Sequence, residues 1–480
     1  MAEQYIVGME ISKKQNYIFK SKRLKEIIGA SRIIRMITEY LPKKYLDTEN
    51  EIYSGGGNSF FKFETENSAK EFISKISLDI LRFFPEIEVF FSINKMENTK
   101  GNVLKDSMEK LEKKKSERRS SFKKISFGLE EICENSKYPA FKIIPDDKNN
   151  DKNRFVSLDT FSKFEFGNDN DNIKERIKKI LDNEILENNF YKQEIKFDYK
   201  YINDFDRFED KVAIISLDGN RMAELVTIAG ERIEELSKII NTSYKKAYSK
   251  VVEYLEEKIG KSELLPIRNL ILAGDDVCYI IEAKYVLDSI RIFLEELHNS
   301  ELEKIEELKN KRLTACAGIV IANKKYPFSV AYDMAEELNK DSKAKLRETG
   351  ETEASLFTFE VIKGEITGSE YKYNKLNDFY ISISCINKSE SEEIIDFKDF
   401  SEILSSLSID KENEDQENRV GKIKEILSSE FDVNYFNIQM NKYILKNDFK
   451  KLFRIEKTQE IFTAAEYTKA EKIMEMLKYY

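Results

Sequence analysis

The strongest constraint on this 480-residue chain is the segment from 271 to 281, Ile-Leu-Ala-Gly-Asp-Asp-Val-Cys-Tyr-Ile-Ile. It sets two adjacent carboxylates, Asp275 and Asp276, on a glycine turn between two apolar runs. Apolar runs of that length around a turn signal predict strand, tight turn, strand. Upstream, Val212 to Leu217 is a second buried-strand pattern, ending in Asp218-Gly219-Asn220. Three acidic side chains delivered at strand ends repel one another unless a cation holds them. A hard divalent ion such as magnesium takes carboxylate oxygens together with water and substrate phosphate, which makes a nucleotide the natural guest. The competing reading is a plain hairpin turn, because Asp and Gly are common turn formers.

The surrounding periodicity gives the three aspartates a frame. Ile233, Leu236, Ile239 and Ile240 keep a helical stripe within 221 to 259, and a hairpin at 268 to 282 and a helix at about 284 to 307 follow. A strand from Leu313 to Ala322 and a helix at about 329 to 346 complete the set. The order β-α-β-β-α-β predicts a split βαβ, ferredoxin-like sheet, in which the end of the first strand lies beside the tip of the central hairpin. Asp218 then meets Asp275 and Asp276.

A weaker echo opens the chain. Tyr5 to Ile11 reads as a strand, 21 to 41 as a helix and 51 to 64 as a hairpin with the tip Ser54-Gly55-Gly56-Gly57-Asn58. A helix at about 67 to 83 and a strand at 87 to 93 follow. The matching order predicts an internal duplication. Its first copy has no Asp pair, so it is expected to bind or position something without holding metals.

Composition excludes several function classes. Charged residues reach 35% with a net charge of −9, so the chain as a whole is no general polyanion binder. Cys133, Cys278, Cys316 and Cys385 form no C-x-x-C pair, which argues against a zinc knuckle or a disulfide framework and for a reduced, intracellular setting. No apolar run approaches the roughly 20 residues that span a bilayer, and the N-terminus has no signal pattern, so a cytoplasmic protein without a membrane partner is expected. The single histidine, His298, ends an amphipathic run and is expected to be structural. Carboxylates and metal must carry any chemistry.

Several ordered motifs together resemble one family. They are Ile214 to Met222, the Ala273-Gly274-Asp275-Asp276 turn, and Ala315 to Ala322 running through Tyr326-Pro327-Phe328 and Ala335-Glu336-Glu337-Leu338 to Lys343. These are similar to the second palm domain of the large polymerase-like subunit of type III CRISPR complexes. Gln15 to Phe19, Arg23 to Glu26 and Gly29-Ala30-Ser31-Arg32 resemble that family's first palm. The resemblance implies an α+β chain of two ferredoxin-like palm domains with a helical insertion and a C-terminal helical domain. The expected divisions are a first palm at 1–95, a connecting segment at 96–205, a catalytic second palm at 206–370 and a helical domain at 371–480.

It further implies a metal-dependent nucleotidyl cyclase that condenses ATP, or another nucleoside triphosphate, into cyclic oligonucleotide messengers in antiviral defence. One nucleotide would bind in each palm. Asp218, Asp275 and Asp276 match the family's metal ligands for a two-metal site of Mg2+ or Mn2+. Lys343 matches a lysine that contacts the triphosphate, with Lys345 two residues on as another solvated or functional lysine. Gly219, Asn220 and Gly274 would lie against the nucleotide, and Gly55, Gly56, Gly57, Asn58 and Ser31 against the one in the first palm. The implied partners are the triphosphate and a downstream effector that senses the product. A homodimer, RNA and CRISPR subunits remain open.

Three departures stand out. Ala273 replaces a glycine, which matters if that position needs a positive φ and matters little otherwise. A His-Asp nuclease domain and the cysteine-ligated zinc site are both missing, so a reduced relative is expected. The basic stretch Lys110 to Lys124 is read as a solvated helix face, with contact to RNA phosphates as the alternative. Pro145 to Asn153 reads as a mobile loop. Beyond about 370 the chain reads as strand-poor, with helical runs near 397 to 407, 418 to 429 and 459 to 478 and an acidic loop at 411 to 418. Two other functions stay in view: a scaffold subunit binding guide RNA and partner subunits with a vestigial palm, and a sensor that binds a cyclic nucleotide without making one.

Overall fold

Alternation along short apolar strands builds both sheets. A computed structural model of the chain describes residues 4–55, 57–96, 100–117, 128–146, 149–168, 171–195, 200–260, 263–362, 379–383, 393–408, 422–423, 425–427 and 464–479. Strand β1 (Tyr5–Ile11) sends Val7, Met9 and Ile11 into one core and Ile6 into another on its opposite face. Helices α1 (Lys14–Phe19) and α2 (Leu24–Arg35), hairpin strands β2 (Glu51–Gly55) and β3 (Asn58–Phe63), helix α3 (Glu66–Phe83) and strand β4 (Val89–Lys95) follow. The sheet order is β2-β3-β1-β4 with antiparallel pairing throughout, the ferredoxin-like arrangement expected from the element order.

The connecting segment closes over this first unit. Helix α4 (Lys100–Ser116) brings Val103 and Leu104 to the face that holds Ile6 and Phe60. A ribbon of β5 (Lys142–Asp146) and β6 (Asn149–Val156) leads to α5 (Leu158–Phe166), α6 (Asp171–Leu181) and α7 (Glu184–Phe190). Phe166, Ile173, Ile177 and Phe190 complete the core under α2. A buried ion pair of 2.7 Å between Arg154 and Glu26 ties the ribbon to α2.

The second unit repeats the order in β7 (Lys211–Gly219), α8 (Met222–Ala229), α9 (Ile233–Ile259), β8 (Ile267–Ala273), β9 (Asp276–Glu282), α10 (Val286–His298) and β10 (Ala315–Asn323). Helix α11 (Phe328–Thr349) and strand β11 (Ser355–Val361) follow. Further on come β12 (Tyr380–Ile383), β13 (Ile394–Asp396), α12 (Phe397–Ser408) and α13 (Ala464–Met476). The sheet runs β13-β12-β11-β10-β7-β9-β8. Ala213, Ile215 and Leu217 of β7, with Val277, Tyr279 and Ile281 of β9, pack under α9 and α10. Their alternates Val212, Ile214, Cys278 and Ile280 pack into the core that holds α2 and α11. The sheet is buried on both faces, which is why β7 and β9 read as continuous apolar runs rather than alternating ones. Asp218 and Asp276 share the parity of the second set, so they emerge on the face turned toward the first unit.

Three expectations change. The segment 221 to 259 is two helices rather than one, broken at Gly230, whose φ of 53° no helix continues. Of the stretch Pro145 to Asn153, residues 145–146 and 149–153 belong to the β5–β6 ladder rather than to a loop, and 147–148 lie outside the described residues; the pairing is carried by backbone hydrogen bonds that a sequence rich in Asp, Asn and Lys does not advertise. The region after 370 contributes strands β12 and β13 to the second sheet, and Ile423, Ile426, Leu427, Ala470 and Ile473 join that unit's core. The acidic segment 411 to 418 lies outside the described residues. His298 is structural, its Nε2 2.9 Å from the Ser355 hydroxyl, with burial and Arg312 holding its pKa down to about 4.

Candidate functional site

The β7–β9 ladder brings two of the three aspartates together directly. Asp218 and Asp276 are register partners at its end, and Asp275 occupies the adjoining β8–β9 turn. Gly274 takes a φ of 63°, the left-handed conformation that this turn requires and that glycine adopts without strain. Ala273 is different. It pairs with Asp276 inside β8, and the described non-glycine residues with positive φ are Lys13, Lys137, Asp182 and Arg221. Its backbone is ordinary strand, so alanine meets no conformational penalty there.

Two lysines reach these carboxylates from different units. Lys343 on α11 pairs with Asp218 and donates to the Gly219 carbonyl at 2.9 Å. Lys14, the first residue of α1, pairs with Asp276 at 3.0 Å. The two helices are packed on each other, with the Phe19 and Tyr332 ring centroids 3.9 Å apart and Gln15 donating to Glu336. Lys345 is engaged elsewhere, by Glu348 and Glu393.

The first unit supplies more than a cation. A Cβ added to Gly274 would lie 2.9 Å from the hydroxyl of Tyr53 on β2, so that phenol covers the carboxylate turn. Burial and the charges of Asp275, Glu39 and Asp276 push its pKa well above that of an ordinary tyrosine. Gly55 lies beside Tyr53 and Asn241 of α9. Gly57 has a φ of 84°, and a Cβ there would meet the Lys14 stem at 3.0 Å. The glycine-tipped hairpin therefore faces the carboxylate turn and leaves room for Lys14.

Behind Asp218, Gly219 admits no side chain, because a Cβ would meet Asp275 Cβ and the Tyr244 hydroxyl at 2.8 Å each. That hydroxyl is buried with no hydrogen-bond partner among the described residues. Burial, with Asp275 and Asp218 nearby, raises its pKa. Asn220 is committed to the fold, its amide donating to Thr314 Oγ1 at 3.1 Å and its backbone N–H to the Thr314 carbonyl at 2.9 Å. Asn58 pairs in the first sheet with Glu10 and Gly55. Ser31 is half-buried on α2, with no contact joining it to the carboxylates among the described residues, and Gly56 lies outside those residues.

Among the described residues no three His, Cys, Asp or Glu side chains are gathered into a ready metal cage. The donor chemistry nevertheless fits a hard divalent cation. Burial and repulsion from Asp218 and Asp276 push the Asp275 carboxyl up to about 6, the response of a cluster short of positive charge. Three carboxylates against two ammonium groups leave one negative charge uncompensated.

Sequence reasoning missed Lys14, Tyr53 and Tyr244. The motif Gln15 to Phe19 adjoins Lys14, and the glycine tip adjoins Tyr53, but neither motif says which carboxylate lies opposite. Of the basic stretch, Lys115 pairs with Glu10 and Glu112, and Lys113 with Glu117, a helix face with its own counter-charges.

Two ferredoxin-like units in tandem, with an aspartate pair at the hairpin turn of the second, define a double-palm protein. Residues 211–350 match the family described as Cas10/Cmr2, second palm domain. Over that stretch the chain is similar to Cas10/Cmr2 proteins. Csm1 of T. onnurineus has the same fold at 12% identity, with a TM-score of 0.53 over 99% of this chain and 70% of that one. A Csm1–Csm4 cassette in complex with pppApApA gives 12% identity and a TM-score of 0.55 over 99% of this chain and 69% of that one. Against a Csm1–Csm4 cassette in complex with cA3 the values are 12% and 0.44, and the chain spans about half, 53%, of that protein's length. No curated protein matches the sequence. No described helix is long and apolar enough to cross a membrane.

Proposed function

We propose that this protein is a metal-dependent nucleotidyl cyclase of the palm type, which joins ATP into cyclic oligoadenylate messengers within type III CRISPR-related defence. The observation that carries the reading is the pairing of Asp218 with Asp276 at the end of one ladder, with Asp275 in the adjoining turn, on the face turned toward the first palm. Adenine is favoured as the base because a cassette of the same fold is known in complex with pppApApA.

Asp218, Asp275 and Asp276 would hold Mg2+ or Mn2+. Divalent ions so held would activate the attacking ribose hydroxyl and neutralise the departing pyrophosphate. Lys343 offers an ammonium donor to phosphate oxygens from the α11 side. Gly274, lacking a side chain, lets the Tyr53 phenol lie against the carboxylate turn, where that phenol would border a bound nucleotide. The Gly55 and Gly57 hairpin would border the second nucleotide. A downstream effector would read the product, and a subunit of the kind that accompanies Csm1 in the cassettes is the proposed partner.

Incubation of the purified protein with each triphosphate and Mg2+ or Mn2+, followed by separation of products, tests the proposal. Cyclic or linear oligoadenylate is expected from the native chain and none from Asp275→Ala/Asp276→Ala. Absence of any oligonucleotide product, with and without phage-derived RNA, overturns it.

A further inference from the structure

Lys14 is the one described contact by which a charged group of the first palm meets a carboxylate of the second palm's turn. Its position is built rather than incidental. Lys13 before it holds a left-handed φ of 51°, an uncommon conformation for a non-glycine residue, and this starts α1 so that Lys14 faces the second palm. Gly57 clears the path of its stem, and the Ile11 N–H donates to the Gly57 carbonyl at 2.8 Å, fixing the hairpin tip against the end of β1. Phe19 and Gln15 anchor α1 to α11. The Lys14 and Asp276 side chains are only 23% and 24% exposed.

An ammonium on a carboxylate that would ligate a metal competes with that metal for the same oxygens. Were divalent cations held by the carboxylates, the pull of Asp276 on the ammonium would weaken at a point where a phosphate chain would bring new negative charge. We infer that Lys14 is a shared cation of the two palms, holding Asp276 while the site lacks metal and passing to the nucleotide's phosphate oxygens when metal and nucleotide enter. The inference rests on the nucleotidyl cyclase reading above. It adds a named residue, Lys14, whose ammonium answers to both the carboxylate and the phosphate chain.

Mn2+ binding without nucleotide, measured by the electron paramagnetic resonance of the free ion, separates this role from a purely structural bridge. Lys14→Met removes the competitor and is expected to bind Mn2+ about fivefold tighter than the native chain. With saturating Ca2+, the same variant is expected to bind a non-hydrolysable ATP analogue about fivefold more weakly, and Lys14→Arg is expected to restore both values. In an Asp276→Asn background the change Lys14→Met should leave Mn2+ affinity unaltered. Native Mn2+ binding with unchanged or weaker affinity in Lys14→Met overturns the inference alone. Failure of native, Lys14→Met and Lys14→Arg proteins to bind Mn2+ overturns the metal-site reading and this inference with it. Melting curves of the three proteins show whether each is folded, and Lys14→Arg carries the test should Lys14→Met fail to fold.

Discussion

Replacing Asp275 by asparagine should stabilise the protein in the absence of metal. The native carboxyl titrates at about 6 rather than 3.8, because burial withholds water and Asp218 and Asp276 repel its charge. The folded state therefore holds this proton more tightly than the unfolded chain does. The stabilisation that the proton confers is complete below about pH 4 and is lost as the pH rises through about 6. A shift of about two units corresponds to about 3 kcal/mol of unfavourable energy carried by the ionised group at neutral pH. The asparagine side chain would occupy nearly the same space with no charge. In EDTA at pH 7.5 the variant should be about 2–3 kcal/mol more stable than the native chain, a rise of several degrees in melting temperature, and the gap should close toward pH 4. If the three carboxylates hold a divalent ion as proposed, millimolar Mn2+ should reverse the order at pH 7.5, because the intact set then gains binding energy that the variant lacks. Thermal melts of both proteins across this pH range, with and without Mn2+, make the measurement. Equal or lower stability of Asp275→Asn in EDTA at pH 7.5 refutes the reasoning.

Three other outcomes follow from the geometry. Gly318→Ala would place a Cβ 2.0 Å from the Ala335 carbonyl oxygen, forcing α11 away from β10, with an expected cost of about 1–3 kcal/mol in thermal melts and at least a tenfold loss of the proposed nucleotidyl activity as Lys343 moves. Ala273→Gly should leave activity within about twofold, because Ala273 has strand backbone, whereas Gly274→Ala should cost about 1–2 kcal/mol from its φ alone and lower activity, both read from product formation and melting. Arg154→Met would leave the Glu26 carboxylate buried without its ion-pair partner, and loosening of the β5–β6 ribbon from α2 by about 3–5 kcal/mol should appear as faster proteolysis near that ribbon.

Much of the site was legible because its signals are local. A glycine turn carrying two aspartates between apolar runs specifies a hairpin, and the βαββαβ order specifies which strand lies beside it, so the meeting of Asp218 with Asp276 follows from periodicity and topology. The added strands β11 to β13 were less legible. They join a sheet that is already complete as a ferredoxin-like unit, and short strands near the end of a chain carry little pattern of their own. The β5–β6 ribbon was hidden for a related reason, since its ladder is held by backbone groups that every residue possesses.

The amino-acid sequence by itself determined the two palm units, the asymmetry between a carboxylate hairpin and a glycine hairpin, and the three aspartates, since each depends on residues close along the chain. Tertiary structure decided what surrounds them. It turned Asn220 inward to Thr314, gave Ala273 an ordinary strand conformation, and brought Lys343, Tyr244, Tyr53 and Lys14 to the aspartates from helices and strands distant in sequence. The physical reason is that charge pairing and close packing across two palms depend on which faces meet. Periodicity within one segment carries no record of the surface that comes to lie opposite.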